Sequence, residues 1–112
     1  MAFEVVFTTD AAERLEKTAN YLQYTCQSPK LASELYDCIS AEIVKLRTKT
    51  GFHIVDHAVT DFVGETVYRV RMGRYKIVYK IDESNNRYVV FLFMHESQNL
   101  DVSVMRDFES TN

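Results

Sequence analysis

The chain has 112 residues, 46% of them apolar and 26% charged, with 3 Gly, 1 Pro and no Trp. That length suits one domain with a two-layer core, and that composition excludes a disordered or collagen-like chain. The formal net charge is -3, but it is unevenly placed. Residues 66–81 hold five Lys or Arg and no acid, whereas residues 1–65 and 82–112 each carry an excess of four acids. A basic band in an otherwise acidic protein can hold a phosphate backbone or an acidic partner.

No apolar stretch approaches the ~18–20 residues of a membrane helix. The longest run, Val89 to Met94, has the length of a strand. Residues 1–10 lack the basic-then-apolar layout of a signal peptide, so a cytoplasmic protein with no membrane partner is expected. Two cysteines, Cys26 and Cys38, are too few for a disulfide framework and are expected to be buried free thiols on separate helices.

Phe3, Val5 and Phe7 alternate with Glu4, Val6 and Thr8, the period of a short strand. Asp10, with Glu13 three residues on, predicts a helix start. Ala12, Leu15, Ala19, Leu22 and Cys26 follow at helical spacing, so the first helix should span about residues 10–26. Ser28 and Pro29 suit the cap and first turn of a second helix. Its stripe is Leu31, Leu35, Ile39, Ile43 and Leu46, and it should run to Lys49 and stop at Gly51. The short connection makes the two helices antiparallel neighbours. Residues 51–65 are weakly patterned and read as a loop with an extended piece.

The period then changes to two. A tight turn at Gly73-Arg74 would pair Met72 with Tyr75, Arg71 with Lys76, Val70 with Ile77 and Arg69 with Val78. Every pair then agrees in face, and a slip of one residue would drive arginines into the core. Residues 82–86 form a second turn. Tyr88 to Met94 is apolar on both faces, as expected of a central strand covered on both sides. Residues 96–112 read as a polar tail with Leu100, Val102, Val104 and Phe108 as docking points. The expected fold is α+β in the order β-α-α-β-β-β, an antiparallel helical hairpin packed on a mainly antiparallel sheet, as one domain over residues 1–112.

The run from Tyr68 to Asp82, a turn, and the run from Tyr88 to Leu100 resemble the RelE/ParE superfamily of toxins from type II toxin–antitoxin systems. Tyr68-Arg69, Gly73-Arg74-Tyr75, Tyr79 and His95 carry the resemblance, and the two helices after a first strand beginning at Phe3 match its layout. The resemblance implies a cognate antitoxin as partner and leaves two mechanisms open. RelE-like members cleave messenger RNA in the ribosomal A site; ParE-like members bind DNA gyrase and are not nucleases. An inactive or autoregulatory member is a third possibility.

Cleavage by a 2′-hydroxyl needs a base, cations at the phosphate and an acid for the leaving oxygen. His95, Glu96, Arg69 and Arg74 form the candidate catalytic set, with His95 the nearby side chain whose ordinary pKa lies close to neutrality. Arg71, Lys76 and Lys80 form the candidate phosphate-binding set, and Tyr79 or Tyr88 could stack on a base. Tyr75 and Tyr79 share the apolar face, which places them in the core instead. Tyr21 and Tyr24 fit either an antitoxin contact or helix packing. His53 and His57 lie four apart but without the accompanying glutamate of a metal helix, so no metal and no cofactor are expected. Ribosome-associated messenger RNA cleavage leads narrowly over gyrase binding. The acidic overall balance and the Glu-Ser-Gln-Asn stretch after His95 pull toward gyrase.

Overall fold

The computed structural model describes residues 3–48, 53–100 and 102–109. Strand β1 (Glu4–Phe7) leads into helix α1 (Thr9–Asn20), whose chain continues as one π turn (Tyr21–Thr25). Thr8, not Asp10, caps α1: its Oγ1 accepts the Ala11 N–H at 3.2 Å, and Asp10 sits in the first turn, where the helix dipole favours an acid. The buried stripe is accordingly Ala11, Leu15 and Ala19, one step from the expected Ala12, which is exposed. Helix α2 (Pro29–Arg47) starts as expected, with the Ser28 hydroxyl accepting the Leu31 N–H and Pro29 in the first turn. Leu35, Ile39 and Leu46 face the core, while Leu31 is exposed. The expected stop at Lys49 and Gly51 lies outside the described residues.

The sheet has the order β1-β4-β3-β2. Strands β2 (Tyr68–Met72) and β3 (Tyr75–Asp82) form the expected hairpin in the expected register. Gly73 has φ +63 and Arg74 is not in the left-handed region, the pattern of a type II′ turn. Strand β4 (Arg87–His95) pairs antiparallel with β3 and parallel with β1. Val78 opposes Leu92 and Tyr79 opposes Val90, so Phe91 is an extra residue, a β-bulge. The bulge turns Phe91 and Leu92 toward the same side of the sheet.

Two cores result. On one face, α1 and α2 pack against Ile77, Tyr79, Tyr88, Val90 and Phe93. On the other, Val78, Phe91, Leu92 and Met94 are covered by two helices that the sequence pattern did not predict. Helix α3 (His57–Val63) lies inside the expected loop 51–65; the Asp56 carboxylate accepts the Val59 N–H at 2.9 Å, and Gly64 ends the helix at φ +80. Helix α4 (Val102–Glu109) lies inside the expected polar tail. Val104 and Phe108 are buried and Leu100 packs against the same core, so these docking points hold; the side chain of Val102 lies outside the described residues. The expected extended piece is present at Val55, which bridges Tyr68 on the outer edge of β2. Cys26 and Cys38 are free but exposed, not buried.

Gly73 has open space where a Cβ would sit, so its constraint is backbone strain alone. Gly73→Ala should therefore cost about 1 kcal/mol, read as a lower urea midpoint with an unchanged slope.

Candidate functional site

The hairpin end of the sheet gathers most of the singled-out residues, but not on one face. Arg69, Arg71, Lys76 and Lys80 alternate with apolar residues that point to the helical hairpin, so they lie on the side of α3 and α4. His95 lies on the opposite side. It is the register partner of Tyr75, their rings meet edge to face at 5.1 Å, and Tyr75 stacks on Phe93 of the first core. The sheet therefore stands between the imidazole and the four strand cations.

The hydrogen bonds around His95 also define its ring. The Ser97 N–H donates to Nδ1 at 3.1 Å, and the Ser97 hydroxyl lies 2.7 Å from the same atom. A backbone N–H can only donate, so Nδ1 is an acceptor and the neutral ring carries its proton on Nε2. In that tautomer Nε2 has no lone pair with which to take a proton. Gln98 closes the turn by accepting the His95 N–H at 2.8 Å. Glu96 donates its backbone N–H to the Arg74 carbonyl at 2.8 Å and stands at the mouth of a cleft of about 160 Å³ with Arg71, Arg74 and Lys76.

The cations are unequal. Lys76 is mostly buried at 16% exposure, and its ammonium pairs with Asp56, which is buried to 1%. Burial alone would raise the Asp56 carboxyl; the Lys76 hydrogen bond, the Val59 N–H and the charges of Lys76 and Arg69 outweigh it and hold it below the ordinary carboxylate value. The Lys76 charge is therefore spent inside the protein. Arg69 stands close enough to Asp56 to share in that neutralisation, and its N–H donates to the Ile54 carbonyl at 2.9 Å. Lys80 places Nζ 5.6 Å from the centre of the Phe108 ring, a cation–π contact with α4. Arg71 and Arg74 are exposed. Of the expected phosphate-binding set, Arg71 is displayed to solvent, Lys80 lies against Phe108 and Lys76 is paired with Asp56; Arg74, from the expected catalytic set, is displayed beside Arg71.

The aromatic expectation is likewise altered. Tyr79 and Tyr88 are buried and not placed to stack on a base. Tyr79 instead hydrogen-bonds His53, whose ring lies 5.3–5.6 Å from Tyr68, Tyr79 and Tyr88. Burial, then Tyr88 and Tyr68, pushes the Tyr79 hydroxyl well above its ordinary range. This places His53 among tyrosines, and no cluster of three metal-ligating side chains occurs among the described residues. Tyr21 and Tyr24 are exposed, at 57% and 70%, so helix packing does not account for them. Sequence reasoning missed Asp56, whose only signal was its place before His57 as a helix cap. It also missed Arg14 and Asp107, which pair at 2.9 Å across 93 residues of chain.

Lys76→Met would leave the Asp56 carboxylate buried without its ammonium. It should cost about 3–5 kcal/mol in urea unfolding at neutral pH. Because the Asp56 pKa is lowered by folding, its contribution is complete at neutral pH and is lost as pH falls below the ordinary value of 3.8.

A family model for the ParE toxin of type II toxin–antitoxin systems, parDE, matches residues 5–100. Among solved structures, the toxin–antitoxin complex RelBE2 from Mycobacterium tuberculosis is similar in fold. The TM-score is 0.52 and the identity 18%, over 85% of this chain and 99% of that one. A search of curated proteins by sequence finds no match. No helix among the described residues is long and apolar enough to cross a membrane. The match spans most of the chain and the sheet-and-helix architecture agrees with it: the protein belongs to the ParE toxin family of type II toxin–antitoxin systems.

Proposed function

We propose that this toxin arrests growth in the cytoplasm by binding DNA gyrase as a non-enzymatic inhibitor, and that a cognate antitoxin neutralises it. The observation that carries this reading is the separation of His95 from the strand cations Arg69, Arg71, Lys76 and Lys80 by the sheet itself. General acid–base cleavage needs the proton-moving group and the phosphate-holding groups on one side of one substrate, within hydrogen-bond reach of it. Here the imidazole, the one candidate for proton transfer near neutrality, lies on the face of the sheet that the helical hairpin covers, with its proton on Nε2. Lys76 is neutralised within the fold. What the hairpin displays is a small basic rim, Arg71 and Arg74, suited to steering and orienting an acidic protein surface.

RNA cleavage on the ribosome is the competing mechanism. Its strongest support is the cleft that joins Glu96 to Arg71 and Arg74. A carboxylate beside two guanidiniums could serve as a base without His95.

The two mechanisms separate in purified systems. Gyrase binding predicts loss of supercoiling on addition of the protein, with no RNA present, and intact message by primer extension in a translating extract. Cuts inside ribosomal A sites with supercoiling unimpaired would reverse the assignment. Two variants sharpen the test. His95→Ala should still arrest growth on expression. Arg71→Glu with Arg74→Glu should raise the concentration for half-inhibition of supercoiling about tenfold or more at low salt, a deficit that shrinks at high salt as the charges are screened.

A further inference from the structure

Where the cover of the second face ends, the hairpin turn, the end of β4 and α3 enclose the cleft of about 160 Å³. Met94 and Leu100 line it and are withdrawn from solvent, whereas Arg71, Arg74, Glu96 and Gln98 line it and are exposed. The cleft thus has an apolar floor and a polar rim. Lys76 also lines it, but its charge is neutralised by Asp56. Neither Arg71 nor Arg74 forms an ion pair or a side-chain hydrogen bond among the described residues. Two guanidiniums against the one Glu96 carboxylate leave an excess of one positive charge at the rim.

We infer that this cleft is a receptor for a single acidic side chain, a glutamate or aspartate presented by the protein that the toxin inhibits; the inference rests on the target-binding reading above. Size decides between such a side chain and a nucleic acid. Pockets that enclose small organic ligands run to ~300–1,000 Å³. The cleft has about half the lower of these values, too little for a nucleotide with its base and ribose. It is enough for a carboxylate and the methylenes behind it. Those methylenes would lie on Met94 and Leu100, and the carboxylate would meet guanidiniums, whose planar forks match its geometry. Glu96 sets the limit on affinity, because its like charge repels any anion that enters.

The receptor is formed before a ligand arrives. The Arg74 carbonyl accepts the Glu96 N–H at 2.8 Å, and the Gln98 N–H donates to the His95 carbonyl at 3.0 Å. These bonds tie the segment after β4 to the hairpin turn, so little loop ordering remains to oppose binding. Gln98 Oε1 accepts the His95 N–H at 2.8 Å, which leaves the amide nitrogen of Gln98 as a further donor beside the arginines.

Amide NMR titrations of the full chain test this with capped peptides. An Ala-Glu-Ala tripeptide, blocked at both ends so that it has one carboxylate, should shift the amides of Gly73, Arg74, Glu96 and Gln98. Its Ala-Gln-Ala counterpart should bind about tenfold more weakly. Arg74→Ala should reduce the glutamate peptide to the level of the glutamine one. Glu96→Gln keeps the backbone bond to Arg74 and removes the like charge, so it should tighten the glutamate peptide about two- to fivefold at low salt. The ribonuclease mechanism assigns Glu96 the opposite effect, since loss of a base abolishes cleavage. Equal binding of the two peptides, shifts confined to another part of the surface, or no binding overturns the receptor. So does weaker binding in Glu96→Gln, or tighter binding of a 2′-O-methyl diuridine, whose single phosphodiester has the same charge as the peptide. The titration contains no gyrase. Specific glutamate binding by a chain that leaves supercoiling unimpaired would refute the gyrase reading and uphold the receptor.

Discussion

Strand β4 must be covered on both faces, and the rest of the molecule follows from that requirement. Its residues from Tyr88 to Met94 are all buried, which a single layer of helices could not accomplish. The helical hairpin α1–α2 supplies one cover. The other is assembled from two short helices, α3 and α4, that flank the hairpin strands in sequence. The bulge at Phe91 fits this division: it places two large side chains in succession on the second face, where short helices leave more volume to fill.

Closing the second face dictates what becomes of the charge there. The basic residues of β2 and β3 alternate onto it, so covering it brings cations toward apolar helices. Each one near the cover is given a partner. Lys76 meets Asp56, the same carboxylate that caps α3, so one acid both starts the helix and neutralises the strand beneath it. Lys80 lies against the ring of Phe108. Toward the tip of the hairpin the cover ends, and Arg71 and Arg74 remain in solvent. The basic band conspicuous in the sequence is thus divided between charge that holds the fold together and charge available to a partner. His95 belongs to neither group, because its alternation along β4 sends it to the first face with Tyr75.

Much of the architecture was legible in the residues. Alternation on both sides of Gly73 determined the hairpin register, because any slip would have buried arginine. The two-sided apolarity of β4 foretold its central place. The helices α3 and α4 were not legible. Seven and eight residues are too few for a clear 3.6-residue period, and their stability comes from the sheet they cover. The candidate site fared less well for a related reason. Charge runs along a strand reveal which residues share a face, but not whether another element will neutralise them. Asp56 and Asp107 find their partners through tertiary contacts that no local spacing encodes. The separation of His95 from Arg69, Arg71 and Lys76 was implicit in strand alternation, yet it required the β3–β4 register to place them on opposite faces.

On the function proposed above, the toxin occupies its target and does not turn over a substrate. Stoichiometry tests it most directly. Supercoiling by a known amount of gyrase should fall linearly with added toxin and reach its end point near equivalence. Removal of the toxin by its antitoxin should then restore activity in full. Message destroyed in a translating extract at toxin well below the ribosome concentration, each molecule cutting many times, would show turnover and exclude stoichiometric inhibition.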